Sequence, residues 1–192
     1  HKRCGNSVIR RNDMSLEENI KNEIRLWSKE ALEKPNENYN NMPACPFAKR
    51  AWVDDRVGFI FKKDESFDVL FEAIYGWDNR KDVIILIDFN YLDADDLYHF
   101  MDILNHSLSE DGIDMFVMGF HPESDENELL ENSLEMTDDN SYAMIFLQRL
   151  TKLQEASNVL REKGYYDVCQ DYYENEPLYE LRAELYRRLR YG

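Results

Sequence analysis

The sequence predicts a single small α/β domain: a sheet of about three strands, helices packed on it, and helical extensions at both ends. Three observations carry this. The 192 residues suffice for one well-formed core and are too few for two. Apolar residues make up 43% and aromatics 13%, inside the range of folded domains. Strand-like and helix-like periodicities alternate through the middle of the chain, the order that lays helices on a sheet. The expected division is a flexible leader or expression remnant over 1–14, the α/β domain over 15–164, and a Tyr-rich linker with a helix over 165–192.

Each element has a local reason. Ser15-Leu16-Glu17-Glu18 fits a capping box. Behind it Leu16, Ile20, Ile24, Trp27 and Ala31 recur at helical spacing until Pro35 closes the helix. Residues 36–42 form a polar, Asn-rich loop, and Pro46 to about Val53 reads as a short helix. Val57, Phe59 and Phe61 alternate with Gly58, Ile60 and Lys62, as in a strand. Residues 67–77 carry Leu70, Ala73, Ile74 and Trp77 at helical spacing. Val83 to Ile87 is a continuous apolar run, the mark of a strand covered on both faces. Asp93 caps a helix with the stripe Leu97, Met101, Leu104 and Leu108. Residues 113–120 form a third strand and 123–140 a long acidic loop. A long helix is expected over 141–163, stopped by Gly164. The last helix runs from Pro177 to about Leu189, its basic end complementing the dipole.

Charge narrows the partners. With 39 acidic and 23 basic residues the net charge is −16, which opposes nucleic acid and anionic membranes. No apolar run reaches the ~18 residues of a membrane span, and no apolar stretch follows the basic amino terminus as in a secretory signal. Cys4, Cys45 and Cys169 are an odd set without paired spacing, which points to a reducing, cytoplasmic compartment. A Gly-rich phosphate loop, a paired CxxC and a GxSxG elbow are all missing, so no nucleotide signature is present.

Two short islands hold the candidate chemistry. In Pro43-Ala44-Cys45-Pro46-Phe47-Ala48-Lys49, Pro46 at the first helical position puts Cys45 at the N-cap. There the helix dipole, with Lys49 and Arg50 one turn on, favours a thiolate. The plainer reading is a buried cysteine acting as a small hydrophobe. In Gly119-Phe120-His121-Pro122-Glu123, His121 follows a strand, where open α/β sheets place ligands. Asp88 shares that edge if the strands are parallel. Cys45 and His121, with Asp88 or Glu123 orienting the imidazole, then form an activated nucleophile. The same residues can hold a metal through sulfur and nitrogen, or simply end a strand and cap a turn. His99, Asp102 and His106 share one helical stripe, better read as a solvated face than a metal site. The 123–140 loop lacks the EF-hand ligand order.

Cys45-Pro46-Phe47-Ala48, Phe120-His121-Pro122, and Asn140-Ser141-Tyr142-Ala143-Met144 leading into Leu147-Gln148-Arg149 resemble a bacterial family catalogued as domain of unknown function 1415. That family is similar in its CPFA and FHP islands and in a Ser-Pro-Tyr-Pro-Met stretch before a Leu-Arg-rich helix. The likeness spans roughly residues 15 to 160. This chain departs from it in lacking the proline of Ser-Pro-Tyr and in carrying Phe146 where the family tends to have histidine. The resemblance implies that Cys45 and His121 belong to one site, matches Arg149, and implies no reaction.

Two functions follow as expectations. One is a small enzyme with Cys45 and His121 at the carboxyl edge of the sheet, Asp88 or Glu123 orienting, and Lys49, Arg50 and Arg149 holding a small anionic molecule. The other is an acidic interaction module, docking a basic protein surface through 123–140 and the Tyr-rich segment. A non-catalytic metal-binding protein is a third.

Overall fold

The computed structural model describes residues 15–123, 141–167 and 175–192. Helix α1 (Leu16–Trp27) begins where the Ser15 hydroxyl accepts the Glu18 N–H, and buries Ile20, Ile24 and Trp27. It runs on as a π-helical turn, Ser28–Leu32, before Pro35. The Asn-rich segment is a small hairpin rather than a plain loop. Strands β1 (Pro35–Asn36) and β2 (Met42–Pro43) pair antiparallel. Asn40 and Asn41 take the left-handed conformation between them, which short amide side chains tolerate. Helix α2 spans Ala48–Val53, with Phe47 at its N-cap.

The main sheet has four strands rather than three. They are β3 (Val57–Lys62), β4 (Val83–Asp88), β5 (Phe116–Phe120) and β6 (Ala143–Gln148), in the order β3-β4-β6-β5. β3 and β4 are parallel, and β6 is antiparallel to both β4 and β5. β3, β4 and β5 therefore point the same way. The long helix expected over 141–163 is thus corrected: its first part is strand β6, and only Leu150–Glu162 is helix α5. Ala143 to Leu147 is apolar throughout, so spacing alone fits either period. Its place in the sheet interior, covered on both faces, settles it as a strand.

Each face of the sheet carries its own core. On one face α3 (Asp68–Tyr75) and α4 (Ala94–Glu110) pack Leu70, Ile74, Leu97, Met101 and Leu104 against Ile84, Leu86, Val117, Ile145 and Leu147. Gly119 allows this approach, since a Cβ there would stand 3.3 Å from Leu97. On the other face α1 and α2 pack Ile20, Ile24, Trp27 and Ala51 against Val57, Ile85, Ile87 and Met144. The carboxyl-terminal helix α6 (Asn175–Tyr191) docks on α4, where Ser109 donates to the Leu185 carbonyl at 2.8 Å. Asp114 caps α5 from outside, accepting the Thr151 N–H and hydroxyl at 2.8 and 2.7 Å. Gly164, at φ +77°, follows its end.

Candidate functional site

The shared direction of β3, β4 and β5 brings Lys62, Asp88 and His121 to one sheet edge. Alternation from Ile60 turns Lys62 toward the α3–α4 face, and the register sets it opposite Asp88. Both side chains are fully buried, with Nζ 2.8 Å from the Asp88 carboxylate. Lys62 also donates to the Asp64 and Asn90 carbonyls at 2.6 and 3.3 Å, and its ammonium stands 4.7 Å from the Phe67 ring. Asp88 Oδ1 further accepts the Asn90 N–H, while Oδ2 is buried without a partner. Asp88 is thus the counterion of Lys62. The sequence reading missed Lys62. Its signal was the pair of opposite charges ending two adjacent predicted strands.

His121 is buried and committed to the backbone. The Glu123 N–H donates to Nδ1 at 3.1 Å, so Nε2 carries the hydrogen and donates to the Leu92 carbonyl at 3.0 Å. Its ring stands edge-on to Tyr91, whose hydroxyl bonds Ser141 at 2.9 Å. With both ring nitrogens occupied, the imidazole joins the end of β5 to the start of α4. Glu123 contributes its N–H here, and its side chain is exposed.

Cys45 follows the β1–β2 hairpin and lies beside Leu32, to whose carbonyl its N–H donates at 2.9 Å. It precedes the N-cap of α2 instead of forming it, a correction to the expected thiolate site. Phe47 takes the cap because the Pro46–Phe47 turn comes before the first helical residue, Ala48. Burial pushes the thiol pKa up and Glu33 adds to this, against weaker opposition from the Phe47 and Ala48 N–H groups. Lys49 and Arg50 are exposed on α2, Arg50 paired with Asp54 at 3.0 Å. Arg149, at the far end of β6, bonds Asn79 and faces Asp114 across 3.7 Å. It sits at the opposite sheet edge from Asp88 and His121, so the structure does not gather the predicted residues into one site. His106 bonds back to the Asp102 carbonyl at 2.9 Å, and His99 is exposed. Among the described residues no three His, Cys, Asp or Glu side chains are grouped to hold a metal. The acidic loop over 124–140, Cys4 and Cys169 lie outside the described residues.

A groove of about 530 Å³ runs beside the start of β3, lined by Lys21, Arg25, Trp52, Asp55, Phe59 and Lys81, among others. Arg25 lies over the Trp52 ring at 5.0 Å and pairs with Glu33. Lys21 pairs with Glu18, and Lys81 donates to the Asp55 carbonyl at 2.8 Å. β3 is an edge strand. The Arg56 and Lys62 carbonyls accept from Asp82 and Phe89 on the β4 side. By alternation, Val57, Phe59 and Phe61 turn their N–H and C=O groups away from β4. The other edge is covered at one residue. On β5 the Asn105 side chain bonds both the N–H and C=O of Val117, at 2.8 and 2.9 Å.

No family model, curated protein or solved structure matches the chain. None of the helices over the described residues is long and apolar enough to cross a membrane.

Proposed function

We propose that the protein is a non-catalytic binding module that takes an extended, acidic peptide segment as an added strand on β3. The observation carrying this is the open edge: Val57, Phe59 and Phe61 direct main-chain groups outward, with no strand against them among the described residues. An exposed edge is a ready template for strand addition, where main-chain bonds supply affinity and flanking pockets supply specificity. The flanking pocket is aromatic and cationic, with Trp52 and Phe59 beside Lys21, Arg25 and Lys81 against one acid, Asp55. Each cation already has a local acceptor, so a ligand carboxylate joins or replaces it. The chain's charge of −16 does not forbid this, because at physiological salt charges beyond ~8 Å are largely screened. Cytoplasmic residence goes with this reading, on the odd cysteine count and the free Cys45 thiol.

The interaction class agrees with the second expectation, at a different surface and with a partner of opposite charge. The cysteine–histidine enzyme has less support, since Cys45 is bonded to Leu32 beyond α1 and His121 to Leu92 before α4, and the histidine ring is fully engaged. The test is titration with peptides of one apolar frame carrying Glu, Gln or Lys. Binding that is lost in Phe59→Pro, which removes one outward N–H, supports the reading, provided the fold is kept. Equal binding by wild type and Phe59→Pro removes it. Lys21→Glu/Arg25→Glu gives the same test without touching the backbone.

A further inference from the structure

We infer that Arg182 is the centre of a second binding site, one that takes a small oxyanion, a carboxylate or phosphate group. Arg182 lies in α6, against α5, and keeps only 7% of its surface. In a chain with 39 acidic residues it has no carboxylate within ion-pair distance among the described residues. Nη2 donates to the Ser157 hydroxyl at 3.1 Å and to the Tyr166 hydroxyl at 3.3 Å. Nε is buried and has no partner, and Nη1 donates to no described residue. The Phe116 ring, 6.0 Å away, is its aromatic neighbour.

A buried guanidinium is normally paired with an anion or fully hydrogen-bonded. Here one nitrogen of three is used, and by neutral hydroxyls. Burial pulls the Arg182 pKa down, and the surrounding Tyr165, Tyr166 and Tyr179 work against that pull. The free Nε–H and Nη1 groups can each give an oxyanion a charge-assisted hydrogen bond. The Ser157 and Tyr166 hydroxyls, rotatable about their own bonds, can turn to donate to the same ligand. This site is separate from the β3 groove, so each stands or falls alone.

The test uses the full chain at constant ionic strength, titrated with inorganic phosphate, acetate, or chloride as control. Phosphate or acetate is expected to shift the Arg182 side-chain Nε–H resonance, leaving exposed Arg50 and Arg187 unmoved. At hundredfold excess over Kd it should also raise Tm by about 5–10 °C. Which anion acts distinguishes a phosphate from a carboxylate ligand. Arg182→Met should lose the Tm response, and Arg182→Lys should keep a weaker one. An unmoved Arg182 resonance, or the same Tm response in Arg182→Met, overturns the inference. The resonance needs no variant, so it decides the matter even if Arg182→Met fails to fold.

Discussion

Lys62→Met is the substitution with the largest consequence that the sheet geometry predicts. Both members of the Lys62–Asp88 pair have fully buried side chains, 2.8 Å apart. Methionine fills much the same volume, so the change removes the charge and three donated hydrogen bonds. Asp88 is left with the Asn90 N–H at 2.9 Å, and its Oδ2 has no partner to begin with. Breaking a buried pair from one side costs about 3–5 kcal/mol, because a desolvated charge stays behind. For a chain of this size that lowers Tm by about 6–20 °C. Removing both charges, in Lys62→Met/Asp88→Leu, should recover most of the loss, since a well-packed apolar pair often matches a buried ion pair. Urea unfolding of the two single variants and the double gives the coupling. A single-variant cost below ~1 kcal/mol refutes the reasoning, as does a double that costs the sum of both singles.

Three further outcomes follow from groups on either face. In a Cys4→Ser/Cys169→Ser background, Cys45 should alkylate more slowly than a free thiol at neutral pH. Its rate should climb only above the ordinary thiol range, because burial and Glu33 hold the proton on; a plateau below pH ~8 contradicts this. Asn105→Ala strips Val117 of both its partners and should cost about 2–4 kcal/mol in urea unfolding, as two buried backbone groups go unsatisfied. A loss under ~1 kcal/mol means that edge is satisfied in another way. Tyr142 is held in its neutral form first by burial and then by the Glu23 carboxylate. Its folded pKa lies above the unfolded one, so above pH ~10 the unfolded chain releases its proton first and stability falls as pH rises. Tyr142→Phe should flatten that slope, and an unchanged slope removes the assignment.

The elements most legible in the sequence were those whose reasons are local. Ser15 and Asp93 both cap helices through their own side chains, and Gly164 marks a helix end through its positive φ. The alternation of Val57, Phe59 and Phe61 assigned β3 and the side chains that face α1. Less was legible where the reason is tertiary. Ala143–Leu147 carries no period because β6 lies inside the sheet. The two islands looked alike beside their prolines, yet Cys45 is tied to the Leu32 carbonyl and His121 to that of Leu92. Lys62 read as an ordinary strand residue and Asp88 as a carboxylate to orient His121, and only the parallel register makes them a buried pair. Asn105, one of many polar residues on an amphipathic helix, gave no hint that it bonds Val117 on the β5 edge.

The open edge of β3 is tested most directly by amide hydrogen exchange of the full chain with and without the Glu-bearing peptide. The strand-addition account predicts that peptide binding protects the Val57, Phe59 and Phe61 amides. The amides of Gly58 and Ile60, already turned toward β4, should change little. Protection of neither set at saturating peptide, or protection spread evenly over both, contradicts it.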